Sequence, residues 1–198
     1  MTKHIAIFAS GSGSNAENII RYFSNSSNVE VSLLICNKHN AYVLERVKKF
    51  DIETQIITRE DFQKSEYVLS ILKNKHIDFI VLAGFLLQIP LYITESYPKS
   101  IINIHPALLP RFGGKGMYGN NVHRAVIDAG ETQTGITIHY INEHYDEGEC
   151  ISQYTCPVFP DDTPETVAAR VHELEYKYYP QTIDLLLSSR NSETEFSK

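Results

Sequence analysis

The chain has 198 residues and a mass of 22.5 kDa, with 42% hydrophobic and 21% charged residues, which excludes disordered and fibrous classes and suffices for one domain with a substantial core. Its 18 Lys+Arg stand against 24 Asp+Glu, a net charge of −6. That balance argues against a broad nucleic-acid interface, which needs a basic face, while leaving room for a local cationic pocket for a small anion.

Met1-Thr2-Lys3-His4 leads directly into Ile5–Ala9, an apolar run too short for a secretory core and stopped by glycine. It reads as a first buried strand. No apolar run reaches the roughly 18 residues that span a bilayer, so no membrane role is expected. Ala16–Phe23 carries Ile19, Ile20 and Phe23 on one stripe and reads as a helix. Val31–Cys36 is a second strand, and Ala41–Phe50 a helix with Val43, Leu44, Val47 and Phe50 in register. Thr54–Ile57 reads as a short strand, Arg59–Lys75 as a helix, Asp78–Ala83 as a central strand and Ile101–Ile104 as another. Gly135–Ile141 and Ile151–Val158 are expected to pair antiparallel through Asp146-Glu147-Gly148. A long last helix starts near Thr163, a capping hydroxyl followed by Pro164, and Ala168, Val171 and Tyr178 mark its apolar face. The polar tail from Ser188 is expected to fray. Cys36, Cys150 and Cys156 form no CxxC and lie among apolar neighbours, as reduced core thiols of a cytoplasmic protein would. The β-α-β-α rhythm implies one α/β domain, a mostly parallel twisted sheet with helices on both faces and an antiparallel C-terminal strand pair. Ligands of such folds sit at the carboxyl ends of the strands.

Three segments carry chemistry. Ser10-Gly11-Ser12-Gly13-Ser14-Asn15 joins the first strand to the first helix. Its small residues permit a tight turn, and the helix start offers outward amides and a favourable dipole for a phosphate. The letters also fit G-x-G-x-x-A, but strand two ends Cys36-Asn37-Lys38-His39 without the carboxylate that a dinucleotide ribose needs. A small-substrate monophosphate is the preferred ligand, and a ligand-free turn the plain alternative. In Ile101–Pro110, period two puts Asn103 and His105 on one face at a strand end, an uncharged donor for an oxyanion beside a proton-exchanging imidazole. A structural histidine is the plain alternative. Asn142–Glu149 holds four carboxylates, among which spacing does not select Asp146 from Glu143, Glu147 or Glu149. The glycine-dense stretch Arg111–Gly119 reads as a lid or a surface loop. Glu175 falls on the apolar stripe of the last helix, either to receive a cationic substrate group or to snorkel at the helix edge. His139, His144 and the nearby acids form no metal-ligand pair, so no metal is expected.

Taken together, Gly11–Asn15, Leu82-Ala83-Gly84-Phe85, Asn103-Ile104-His105-Pro106-Ala107-Leu108-Leu109-Pro110 and the Asp146-x-Gly148 turn resemble the glycinamide ribonucleotide formyltransferases of de novo purine synthesis, from Ile5 to about Pro180. The resemblance implies a Rossmann-like formyltransferase fold. It implies transfer of a formyl group from 10-formyltetrahydrofolate, as co-substrate, to the amine of glycinamide ribonucleotide. It further implies a catalytic trio of Asn103, His105 and Asp146. Gly13, Ser14 and Asn15 would hold the ribonucleotide phosphate, and Glu175 would meet the amine side. Folate would lie against Leu86, Leu87, Gln88, Ile89, Asn103 and Asn142, with Arg59 a candidate for its glutamate tail. Leu86-Leu87 stand where Met-Arg often follows the phenylalanine in that family, and Gly113–Tyr118 exceeds its shortest versions. Small-molecule partners, no nucleic acid and a monomer or homodimer follow from the same likeness. Methionyl-tRNA formyltransferases share a similar loop but add an RNA-binding extension. Formyltetrahydrofolate hydrolases share the trio with water as acceptor. A non-catalytic nucleotide-binding module is the third reading.

Overall fold

The computed structural model describes the backbone of residues 2–195 and the side chains of residues 2–189. It divides into two compact units, Met1–Leu87 with the chain from Lys177 onward, and Gln88–Tyr176.

The first unit is built on strands β1 (Lys3–Ala9), β2 (Val29–Cys36), β3 (Thr54–Ile56) and β4 (Phe79–Leu82), all parallel, in the order β3-β2-β1-β4. Ile5–Ala9 and Phe79–Val81 have no exposed surface, so they read as unbroken apolar runs, as strands covered on both faces must. Helix α1 (Ser14–Phe23) joins β1 to β2 and buries Ala16, Ile19, Ile20 and Phe23, the expected stripe. The chain steps outward from β1 through β2 to β3, then returns past them to β4. Right-handed crossovers therefore set α1 and α2 (Tyr42–Val47) on one face and α3 (Ser65–Asn74) on the other. The direction of winding reverses between β1 and β4, the place where sheets of this kind bind ligands at their carboxyl ends, and there Ser10 N–H bonds Gly84 O at 3.1 Å.

Two expected helices are shorter than their stripes. Ala41–Phe50 resolves into α2 and a 3₁₀ turn, Lys48–Phe50, closed by Asp51 at φ 53°. Arg59–Lys75 resolves into a 3₁₀ turn, Asp61–Gln63, and α3, because the Asp61 carboxylate takes the Thr58 N–H and hydroxyl and draws the chain into a separate turn.

The second unit contains β5 (Ile101–His105), β6 (Gln133–Tyr140) and β7 (Cys150–Pro157), successive neighbours paired antiparallel. The expected β6–β7 pair is present, and β5 joins it by the same kind of pairing. Helices α4 (Leu91–Ser96) and α5 (Asn120–Asp128) had no counterpart in the sequence reading. The last helix, α6 (Pro164–Glu195), opens as expected, with Thr163 Oγ1 accepting from Thr166 N–H at 3.4 Å. Its buried stripe runs Val171, Glu175, Tyr179; Tyr179 rather than Tyr178 is fully buried, because strict i, i+4 spacing carries the stripe there, and its hydroxyl donates to Leu82 O at 2.9 Å. Helix α6 continues to Glu195, through much of the tail expected to fray, and positions 196–198 lie outside the described residues. Cys36 and Cys156 are buried thiols, but Cys150 is exposed, since it opens β7 at the hairpin mouth. Among the described residues no helix is long and apolar enough to cross a membrane.

Candidate active site

Register partners on β5 and β6 assemble the centre of the second unit. Asn103 stands opposite His139, and His105 opposite Thr137. Asn103 Nδ2 lies 3.3 Å from His139 Nε2. His139 Nδ1 lies 2.9 Å from Tyr140 O. A carbonyl only accepts, so Nδ1 carries the proton and Nε2 presents its lone pair to the Asn103 amide. His139 thereby fixes which end of the Asn103 carboxamide donates, and one N–H is left to point elsewhere.

His105 is 3% exposed, and its Nε2 sits 2.7 Å from Phe112 O, which places its proton on Nε2. Its Nδ1 faces Asp146 Oδ2 at 3.5 Å, and Asp146 Oδ1 lies 3.7 Å from His139 Nε2. Of the four acids of the hairpin, Asp146 is thus the one set between two imidazoles. Its backbone is at φ 57°, which turns the side chain inward, and Gly114 N–H donates to Oδ2 at 2.9 Å. Burial pushes the His105 imidazolium below its ordinary range, and the Asp146 charge and the Phe112 carbonyl only partly oppose this. Burial also lowers His139, against the Tyr140 carbonyl and Asp146. Burial thus favours the neutral form of both rings.

The loop after β5 is fastened to this centre. Thr137 Oγ1 donates to Ala107 O at 2.7 Å and accepts from Leu109 N–H and Gln153 Nε2, each at 2.9 Å. Phe112 O and Gly114 N–H, the loop groups nearest the catalytic candidates, were missed by residue lettering because they are backbone groups; the density of glycine around them was the available signal. Gly148 makes the hairpin mouth possible: a Cβ there would lie 1.7 Å from Tyr140 O.

On α6, Glu175 is 6% exposed and lies 3.9 Å from His172 Nε2, buried rather than snorkelling. Asn142 closes its own turn, donating to Glu147 O at 3.2 Å and accepting from His144 N–H at 2.9 Å. Gln88 Nε2 donates to Glu143 O at 2.9 Å, and Ile89 is buried.

The remaining sequence candidates belong to the first unit. Gly13, at φ 76°, opens α1, and Glu17 N–H to Gly13 O at 2.9 Å is the first bond inside the helix. Ser14 and Asn15 form its first turn, half-buried. Leu86 is exposed, and its N–H is taken by Ser10 Oγ at 2.9 Å; Leu87 is half-buried. Arg59 is exposed in the turn after β3.

A family model described as formyl transferase matches residues 3–183. Phosphoribosylglycinamide formyltransferase of Bacillus subtilis is 35% identical over 194 residues, covering 96% of this chain and 97% of that protein. The chloroplastic enzyme of that name from Arabidopsis thaliana is 38% identical over 95% of this chain. The chain spans 66% of that plant relative and 62% of the one from Vigna unguiculata. Among solved structures, phosphoribosylglycinamide formyltransferase from Bacillus halodurans superposes with a TM-score of 0.84 at 38% identity, covering 94% of this chain and 96% of that one. The Anaplasma phagocytophilum protein of the same name gives 0.86 at 31% identity, covering 96% and 89%. A match over nearly the whole described chain, with an asparagine, a histidine and an aspartate gathered at a strand end, means that this chain belongs to the formyl transferase family.

Proposed function

We propose that the protein transfers the formyl group of 10-formyltetrahydrofolate to the primary amine of glycinamide ribonucleotide, giving formylglycinamide ribonucleotide and tetrahydrofolate, a step of de novo purine synthesis in the cytoplasm. The observation that carries the reading is the cluster of Asn103, His105 and Asp146 in a chain whose full-length bacterial relative bears that activity in its name.

The neutral amine attacks the formyl carbon. A C–N bond forms, the carbonyl oxygen becomes an oxyanion, and the nitrogen becomes cationic. The Asn103 N–H that His139 leaves unused donates to the oxyanion. The nitrogen must then lose a proton. His105 Nδ1, the unprotonated ring nitrogen beside Asp146, takes that proton directly or through one water, and the resulting imidazolium is held by the Asp146 carboxylate at 3.5 Å. Collapse of the tetrahedral intermediate breaks the bond from the formyl carbon to the folate N10, which receives the proton. No covalent enzyme intermediate is needed, because an amine is already a competent nucleophile.

Gly13, Ser14 and Asn15 hold the ribonucleotide phosphate on the start of α1, and Glu175 meets the amine side. Leu86, Leu87, Gln88, Ile89 and Asn142 border the pterin, and Arg59 meets the glutamate tail. No metal takes part. The partners are small molecules, with neither nucleic acid nor membrane involved, and the 198 residues act as a single formyltransferase domain, as monomer or homodimer.

The test follows loss of the formyl group from the folate, with Asn103→Ala, His105→Ala and Asp146→Ala beside the parent. Each is expected to lose roughly 10²–10³-fold in kcat. Turnover near the parent's in all three folded variants would reject the assignment. Formate released without any amine would favour hydrolysis instead.

A further inference from the structure

The turn read as the phosphate seat is gripped by α2. Val43 N–H donates to Gly11 O at 3.1 Å, and Arg46 Nε–H donates to Ser12 O at 2.8 Å. At Gly13 the helix comes so close that a Cβ would lie 2.3 Å from Val43 Cγ2 and 2.7 Å from its Cα. In a planar trans peptide the C=O and the following N–H point in opposite directions. Turning the Gly11 and Ser12 carbonyls toward α2 therefore turns the Ser12 and Gly13 amides away from it. A carbonyl pointing the other way would set a negative dipole against a bound anion.

Arg46 is itself aimed. Its NH1 donates to Glu17 Oε2 at 2.7 Å, and its guanidinium lies 5.0 Å from the centre of the Tyr42 ring. Glu17 also receives Lys49 at 2.6 Å and Arg21 at 2.9 Å. These three cations, Lys49 foremost, hold the Glu17 carboxyl at about 2. A carboxylate in the first turn of α1 would repel a phosphate; here one negative charge is met by three positive ones, and the local balance becomes positive.

We propose that Arg46 is a positioning residue of the phosphate seat: oriented by Glu17, it holds the Ser12 carbonyl away from the anion so that the amides at the start of α1 face it. The proposal rests on the reading of Gly13–Asn15 as that seat. Arginine suits the task because its fork reaches a carbonyl and a carboxylate at once, which a lysine point charge does less well.

The test is steady-state kinetics with each substrate varied in turn, plus inhibition by inorganic phosphate and a thermal melt, on Arg46→Gln, Arg46→Lys and Ser14→Asp. Arg46→Gln is expected to raise the KM for the ribonucleotide and the inhibition constant of phosphate about tenfold, with the folate KM and kcat within about twofold. Arg46→Lys keeps a single donor for Ser12 O or Glu17 but not both, and recovers only part of the loss, still confined to the ribonucleotide KM and phosphate inhibition, which a purely structural role would not do on this selective scale. Ser14→Asp puts a carboxylate into the seat and should abolish phosphate inhibition. If it does so while both Arg46 variants leave ribonucleotide KM unchanged, or shift kcat and both KM values alike, the positioning role is overturned and the seat stands. If Ser14→Asp leaves phosphate inhibition intact, the seat is elsewhere and the proposal falls with it.

Discussion

Three buried histidines of the second unit are set apart by what their ring nitrogens touch. His105 and His139 each spend one N–H on a backbone carbonyl and flank one carboxylate. His123 is 2% exposed, and among the described residues its Nδ1 has no partner. Burial first, then repulsion from His172 and His105, brings His123 down to about 4. An unfolded histidine titrates near 6.5, so the unfolded chain binds the extra proton between those values and stability falls as pH drops from about 6.5 toward 4. A melt series on His123→Gln should show a shallower acid slope in that window, by at most about 3 kcal/mol. Catalysis has its own pH signature. Neutral His105 is the proposed base, so turnover should fall on the acid side with an apparent midpoint below the ordinary histidine value. Asp146 raises that midpoint, so Asp146→Asn should move it lower still, besides reducing kcat, as a pH–rate profile would read. Asn103 and His105 were accessible to sequence because an Asn-x-His at a strand end is spelled in side chains, whereas spacing did not separate Asp146 from the other acids of its turn and only the family likeness singled it out. Phe112 O and Gly114 N–H were not accessible, since every residue has a carbonyl and an amide and no letter says which will be used.

Individual elements tolerate change according to what holds them. Thr137 on β6 bonds three groups of the neighbouring loop and strand with one hydroxyl. Thr137→Val keeps the shape and strands buried polar partners, so chemical denaturation should show a loss of about 1–3 kcal/mol. Gly13→Ala should cost more than an ordinary surface change, because a side chain at φ 76° is strained and would also strike α2. The same elements explain which parts of the secondary structure could be anticipated. Strands β1 and β4 are covered on both faces and declare themselves as apolar runs. Helix α5 buries only Val122, His123 and Val126, and α4 only Ile93, stripes too sparse to rise above their surroundings. The unexpected 3₁₀ turns come from a local competitor, the Asp61 side chain, and from a left-handed residue at Asp51, neither of which disturbs hydrophobic period. Glu175 was conspicuous because it interrupts a stripe that continues to Tyr179.

For the whole chain, the order of β-α units before β4 and of antiparallel strands after β5 was written in the alternation of apolar runs and helical stripes, because it depends on burial, which selects residue type directly. Substrate binding gives the global test of the proposed function. Ribonucleotide at about 100 times its Kd should stabilise the native protein by about 2.7 kcal/mol, a rise in Tm on the order of 5–10 °C, and inorganic phosphate less. Tetrahydrofolate analogues should add a further increment, whereas a bare nucleotide-binding module would respond to phosphate compounds alone. The opposed proton positions of His105 and His139 carry one more consequence. In nitrogen-15 spectra the two rings should resonate as different tautomers around a shared acid, a built-in pair of reporters. An added formyl-acceptor analogue that perturbs the signal of His105 Nδ1 but spares that of His139 Nδ1 would trace the proton's route without any label on the ligand.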